Sequence, residues 1–147
     1  MSRKSRIACA KDIMISHHDA LIYTMVLVSA ADNNMPDVEL TSIGDAVLHL
    51  PVFRDFDRQR LPQATRDCTK LLQDADGLDK AFKAIKTALP PKLCETAYAL
   101  ACDVAAADGK VTQEESRILE MVRDRLAIGR LPAAAIERGA RARYMQV

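Results

Sequence analysis

Val104-Ala105-Ala106-Ala107-Asp108-Gly109-Lys110-Val111-Thr112-Gln113-Glu114-Glu115 runs from a small-residue apolar stretch into Asp-Gly and then into Thr-x-x-Glu. This is the sequence of a helix end, a tight turn and a new helix start: Asp-Gly is a turn dipeptide, and Thr112 with Glu115 has capping-box spacing. The same pattern stands 76 residues earlier, where Val28-Ser29-Ala30-Ala31-Asp32 matches Val104-Ala105-Ala106-Ala107-Asp108 and Glu39 matches Glu115. A repeat of half a chain implies two equivalent supersecondary units. Residues 20–50 and 96–126 are therefore expected to superpose as helix–turn–helix units, Asp32 on Asp108 and Glu39 on Glu115. Packed about a pseudo-two-fold axis, they would bring the acidic turns to one end of the molecule.

Outward from the repeat, the apolar spacing is helical. Leu40, Ile43, Val47 and Leu50 form one stripe, Leu78, Phe82, Ile85 and Leu89 a second, Leu93, Ala97, Leu100, Ala101 and Val104 a third, and Ile118, Val122 and Leu126 a fourth. No segment alternates with period two. Pro36, Pro51, Pro62, Pro90-Pro91 and Pro132 near helix ends, with Gly77, Gly109 and Gly129 at turns, divide the chain into helices at 17–31, 36–50, 62–74, 78–89, 92–107, 113–127 and 132–143, with a weaker one before residue 15. Ser16 with Asp19 and Asp76 with Asp79 share the capping-box spacing. The fold class is all-α: a single domain over 1–147, a bundle of about seven to eight helices with an internal pseudo-two-fold repeat and a basic C-terminal helix within 130–147.

Composition agrees. The 147 residues include 23 Ala, no Trp, three Phe and three Tyr, which calls for close-packed aliphatic helices. Lys plus Arg total 21 against 20 Asp plus Glu, which excludes a polybasic nucleic-acid binder. The longest apolar run, Ala20 to Ala31, is too short to span a membrane. Together with the basic start before it (Arg3, Lys4, Arg6, Lys11) it is not read as a leader either, because Asp12 and Asp19 interrupt that stretch and a similar segment recurs in mid-chain. Cys9, Cys68, Cys94 and Cys102 form no Cys-x-x-Cys pair, as expected of a reduced, cytoplasmic compartment.

The acidic turn resembles that of the TerB family of tellurite-resistance proteins, in which an Ala-rich helix ends in Asp-Gly and a Glu opens the next helix. The resemblance covers about residues 16–128. Its second copy matches well; the first, Asp32-Asn33-Asn34-Met35-Pro36-Asp37-Val38-Glu39, has Asn33 where Gly is usual, a residue that also tolerates the left-handed conformation. The resemblance implies an all-helical domain with an acidic, cation-binding face, linked to tellurite and other stress responses, and no catalytic reaction.

The turn also has the spacing of half an EF-hand loop, with Asp108, Gly109, Val111 and Glu115 at positions 5, 6, 8 and 12. Positions 1 and 3 would be Val104 and Ala106, which cannot ligate, so one turn is a poor calcium site. Two facing turns supply Asp32, Glu39, Asp108 and Glu115, with Asp37 and Glu114 nearby, and hard divalent cations require several oxygens. Capping alone accounts for the second copy. In the first, Pro36 stands where Thr112 would cap, yet Glu39 is retained.

Other candidates are read as structural. His17 and His18 are about 100° apart on a helix and belong to a solvated first turn; His49 is a helix C-terminal residue. Cys94 and Cys102, about 12 Å apart along one helix, are buried hydrophobes rather than a disulfide. No nucleophile–base pair, phosphate loop or zinc motif is present, so no enzyme is expected. Charge is uneven: Asp32, Asp37, Glu39, Asp45, Asp55 and Asp57 face only Arg54 between residues 32 and 57, whereas Arg123, Arg125, Arg130, Arg138, Arg141 and Arg143 dominate the end. Two functions follow. One is a non-enzymatic stress-resistance protein whose acidic turns bind a divalent cation or present a docking surface. The other is a metal-free adaptor that engages a protein partner or the inner membrane surface through its acidic face and Arg-rich C-terminus.

Overall fold

A computed structural model describes residues 13–147. Within them lie seven helices and no strand: α1 (His17–Ser29), α2 (Asp37–His49), α3 (Leu61–Leu72), α4 (Gly77–Ala88), α5 (Cys94–Ala106), α6 (Gln113–Arg125) and α7 (Arg130–Arg143). The expected helix before residue 15 falls almost wholly outside the described residues.

Helix α1 is the axle. Every residue from Ala20 to Ser29 is buried, so beyond its first turn it has no solvent face, as befits a predominantly apolar helix. It packs against α5, α3 and α4 and touches α2 and α6, while α5 packs in turn against α7, α2 and α6. Ala20, Ala97 and Ala101 are wholly enclosed; side chains this small let helix axes approach closely, which is what an Ala-rich, aromatic-poor chain can build. The Tyr98 hydroxyl donates to Glu137 Oε2 at 2.6 Å, and Arg123 reaches the same oxygen at 3.7 Å, which ties α5 and α6 to α7.

The two repeat units share local geometry. Helices α1, α2, α5 and α6 are each 13 residues long. Asn33 (φ 60°) and Gly109 (φ 80°), which correspond in the repeat, both take the left-handed conformation that reverses the chain.

Several local expectations are corrected. Asp76 precedes α4 without capping it: its backbone is not extended (ψ 19°), and its carboxylate pairs with Lys80 at 3.2 Å. Ser16 does accept from the Asp19 N–H at 3.1 Å, but Asp19 reaches Arg60 instead of closing a box. Gly129 lies between α6 and α7 as expected and serves as the N-cap of α7 (φ −64°), while the left-handed residue of that connection is Ala127 (φ 54°). The first turn of α1 is not simply solvated. His17 is exposed, but His18 stacks on Phe53, lies against Phe56 and bonds through Nε2 to the Val52 carbonyl at 2.8 Å. The 3₁₀ turn Pro51–Phe53 carries this apolar pair back onto the helix. Cys102 is buried as expected, whereas Cys94 is half-buried; both are free thiols.

Gly77 is needed for space rather than for an unusual φ. A Cβ there would lie 2.0 Å from the Leu71 carbonyl oxygen, a backbone atom that cannot swing aside, whereas one at Gly44 in mid-α2 would meet nothing within 4 Å. Gly77→Ala is therefore expected to destabilise by at least 1–3 kcal/mol, roughly the cost of overpacking, and Gly44→Ala to stabilise by about 0.5–1 kcal/mol through helix propensity. Urea unfolding of the two variants checks the opposite signs.

Candidate acidic-turn site

The first turn joins α1 to α2 and the second joins α5 to α6. In each, the Asp side chain folds onto its own turn: Asp32 Oδ1 accepts from the Asn34 N–H at 3.1 Å, and Asp108 Oδ1 from the Lys110 N–H at 2.9 Å. These Asx turns leave the other carboxylate oxygen of each Asp uncommitted. At the start of α6 the capping box is complete. The Glu115 N–H donates to Thr112 Oγ1 at 3.1 Å, and the Thr112 N–H donates to Glu115 Oε1 at 3.0 Å. At the start of α2, Pro36 offers no hydroxyl and makes no side-chain cap.

The Glu of each turn points inward. Glu39 is 1% exposed and Glu115 2%, and no other acidic residue among the described ones is buried. Burial pushes the Glu39 carboxyl up to about 8; the Glu115 carboxyl beside it pushes the same way, the nearby Ser29 hydroxyl opposes, and Asp108 adds a like-charge contribution. Glu39 Oε1 and Ser29 Oγ are both buried with no hydrogen-bond partner among the described residues. Neither glutamate joins the ion pairs that the described residues form. A buried carboxylate without a counter-charge is costly, so the pair requires a positive charge from outside the side-chain set, in the form of a proton or a cation.

The structure thus brings Glu39, Glu115 and Asp108 into electrostatic contact. Asp32 stays engaged with its own turn, and Asp37 and Glu114 lie exposed in the first turns of α2 and α6. Among the described residues no three His, Cys, Asp or Glu side chains already converge as a ligand cage. Ser29 was not singled out from the sequence as a site residue. The signal was available, since it is the one hydroxyl in Val28-Ser29-Ala30-Ala31, where the second copy has Ala105. Beside the second turn a cleft of about 750 Å³ is lined by Asp108, Lys110, Arg123, Tyr98, Cys102 and Glu137. Burial pushes the Cys102 thiol up to about 12, so it stays protonated at neutral pH.

No helix among the described residues is long and apolar enough to cross a membrane. No curated protein and no solved structure matches the chain. The family model for the tellurite resistance protein TerB matches residues 18–138, which takes in all seven helices but for the ends of the first and last. With an all-helical bundle and two acidic turns in place, the chain belongs to the TerB family.

Proposed function

We propose that the protein is a non-enzymatic, TerB-like stress-resistance protein whose paired acidic turns bind a divalent cation. The observation that carries this reading is Glu39 Oε1: a buried, unpartnered carboxylate oxygen beside the equally buried Glu115. Two such carboxylates repel unless a positive charge lies between them. Glu39 and Glu115 would anchor the ion, and the uncommitted oxygens of Asp108 and Asp32 would complete an all-oxygen set of the kind hard cations take. Asp37 and Glu114 would add to the field from the rim.

The test separates cap from ligand. Glu115→Gln keeps an oxygen for the capping box but removes the charge, whereas Thr112→Ala removes the cap at a cost of about 0.5–2 kcal/mol and leaves every carboxylate in place. Wild-type protein titrated with calcium, magnesium, manganese or zinc is expected to gain about 2.7 kcal/mol at a hundredfold excess over the dissociation constant. Thr112→Ala should keep that gain and Glu115→Gln should lose most of it. No response to any of the four cations, or a response unchanged in Glu115→Gln, would overturn cation binding and leave the turns as caps or a docking surface.

A further inference from the structure

Independently of the turns, two helix faces remain without a partner, and they complement each other. The outer side of α2 carries Asp37, Thr41, Gly44, Asp45 and Leu48, flanked by Val38 and Leu40, with no Lys or Arg. Opposite the buried Ala133 and Ala140, the outer side of α7 carries Leu131, Ala134, Ala135, Arg138 and Ala142 and runs on to Met145, with Arg130 and Arg141 along one flank and no acid. Leu131, Ala135, Arg138 and Ala142 are spaced 0, +4, +7 and +11, which is the seam of a helix that packs against another helix, and Met145 follows just beyond the C-cap Tyr144.

The exposure is concentrated there. Among the described residues eight large apolar side chains are exposed, and five of them belong to these faces: Val38 (42%), Leu40 (39%), Leu48 (48%), Leu131 (80%) and Met145 (67%). Arg130, Arg138 and Arg141 form no ion pair with the described residues, and neither do Asp37 and Asp45. By contrast Arg123, Arg125 and Arg143 are all paired, with Glu137, Asp79 and Asp103. Of the six arginines from Arg123 onward, the three without an ion pair among the described residues are those on the outer side of α7.

Helices α2 and α7 both pack on α5, and a groove of about 340 Å³ between α2 and α5 is lined by Val38, Asp45, Leu100, Val104 and, from the end of α7, Tyr144. We infer that the partner of these faces is a second copy of this chain: the arginine-bearing outer face of α7 in one copy lies on the acidic outer face of α2 in the other. A two-fold arrangement makes both contacts at once and closes the assembly as a dimer. Each contact sets an apolar strip between opposite charges, so association is steered by charge and weakened by salt.

Sedimentation of the full chain between 1 and 200 µM tests the inference. A monomer–dimer equilibrium is expected at 50 mM salt, weakened at 500 mM. All substitutions used are at exposed positions. Arg138→Glu/Arg141→Glu in one chain and Thr41→Lys/Asp45→Lys in another should each weaken self-association by about tenfold or more, because like charges then oppose at both contacts. Mixing the two variants should restore dimerisation to near the wild-type level, since both contacts of the mixed dimer again pair opposite charges. A wild type that stays monomeric across the range overturns the inference. So does failure of the mixture to associate, or a monomer whose α7 face instead binds vesicles of anionic phospholipid in an Arg138/Arg141-dependent way.

Discussion

Without a cation, wild-type protein is expected to lose stability as pH rises from 7 to 8, and Glu39→Gln is expected to remove that loss. Glu39 holds its proton up to about 8 in the folded state, whereas an unfolded glutamate releases it near 4.3. Between those values the native state binds one more proton than the unfolded state, so stability falls as pH rises, by at most about 1.4 kcal/mol per pH unit. His17 acts in the opposite sense at lower pH. Burial, aided by His18, holds its pKa below 6.5, so the unfolded state binds the extra proton there and stability rises with pH up to that value. Above pH 6.5 Glu39 carries most of the change; the buried Cys68 and Cys102 thiols, pushed up to about 12, act in the same sense but enter only as pH nears 8. Urea unfolding in chelator at pH 5, 6, 7 and 8 should show the wild type declining over the upper half of the range. Glu39→Gln should decline far less there and be the more stable protein at pH 8. A wild-type profile that stays flat or climbs from 7 to 8 would mean that the two carboxyls are not forced together.

Phe82→Ala is expected to cause the largest loss of stability among single core substitutions of α4, about 3–5 kcal/mol, the usual cost of deleting a buried aromatic ring. Phe82 is 2% exposed, and its ring lies 5.2 Å from the guanidinium carbon of Arg125, which also pairs with Asp79 at 3.1 Å. Removing the ring opens a cavity between α4 and the core and takes away the surface on which Arg125 rests, a contact worth about 0.5–1 kcal/mol by itself. Phe82→Leu, which keeps most of the volume, should cost far less. Thermal unfolding should record a drop of about 6–20 °C for the alanine variant, given roughly 2–4 °C per kcal/mol at this chain length. A drop of only a degree or two would show that the ring is not part of the core.

Helix number, order and approximate bounds were legible in the sequence because they depend on short-range rules. Apolar spacing marks the buried stripe, and the prolines confine the helices within a few residues of their observed ends. The capping box of Thr112 and Glu115 and the left-handed Asn33 were likewise local and came out as expected. The acidic turns were visible as a repeat, yet their residues are not equal in space. Glu39 and Glu115 turn inward and meet, while Asp37 and Glu114, beside them in the chain, face outward.

The rest was settled by tertiary packing. No local rule says that Phe53 and Phe56 fold back onto His18, or that the Tyr98 hydroxyl finds Glu137. Each depends on which element arrives from elsewhere in the chain. Ser29 shows the division most plainly. From the sequence it is one small residue in an apolar helix; in the fold it is a buried hydroxyl beside a carboxyl that lacks a partner. Spacing along the chain determines which side of a helix a residue occupies, but only the packed bundle determines what lies opposite that side, and the electrostatics of Glu39 are set by what lies opposite.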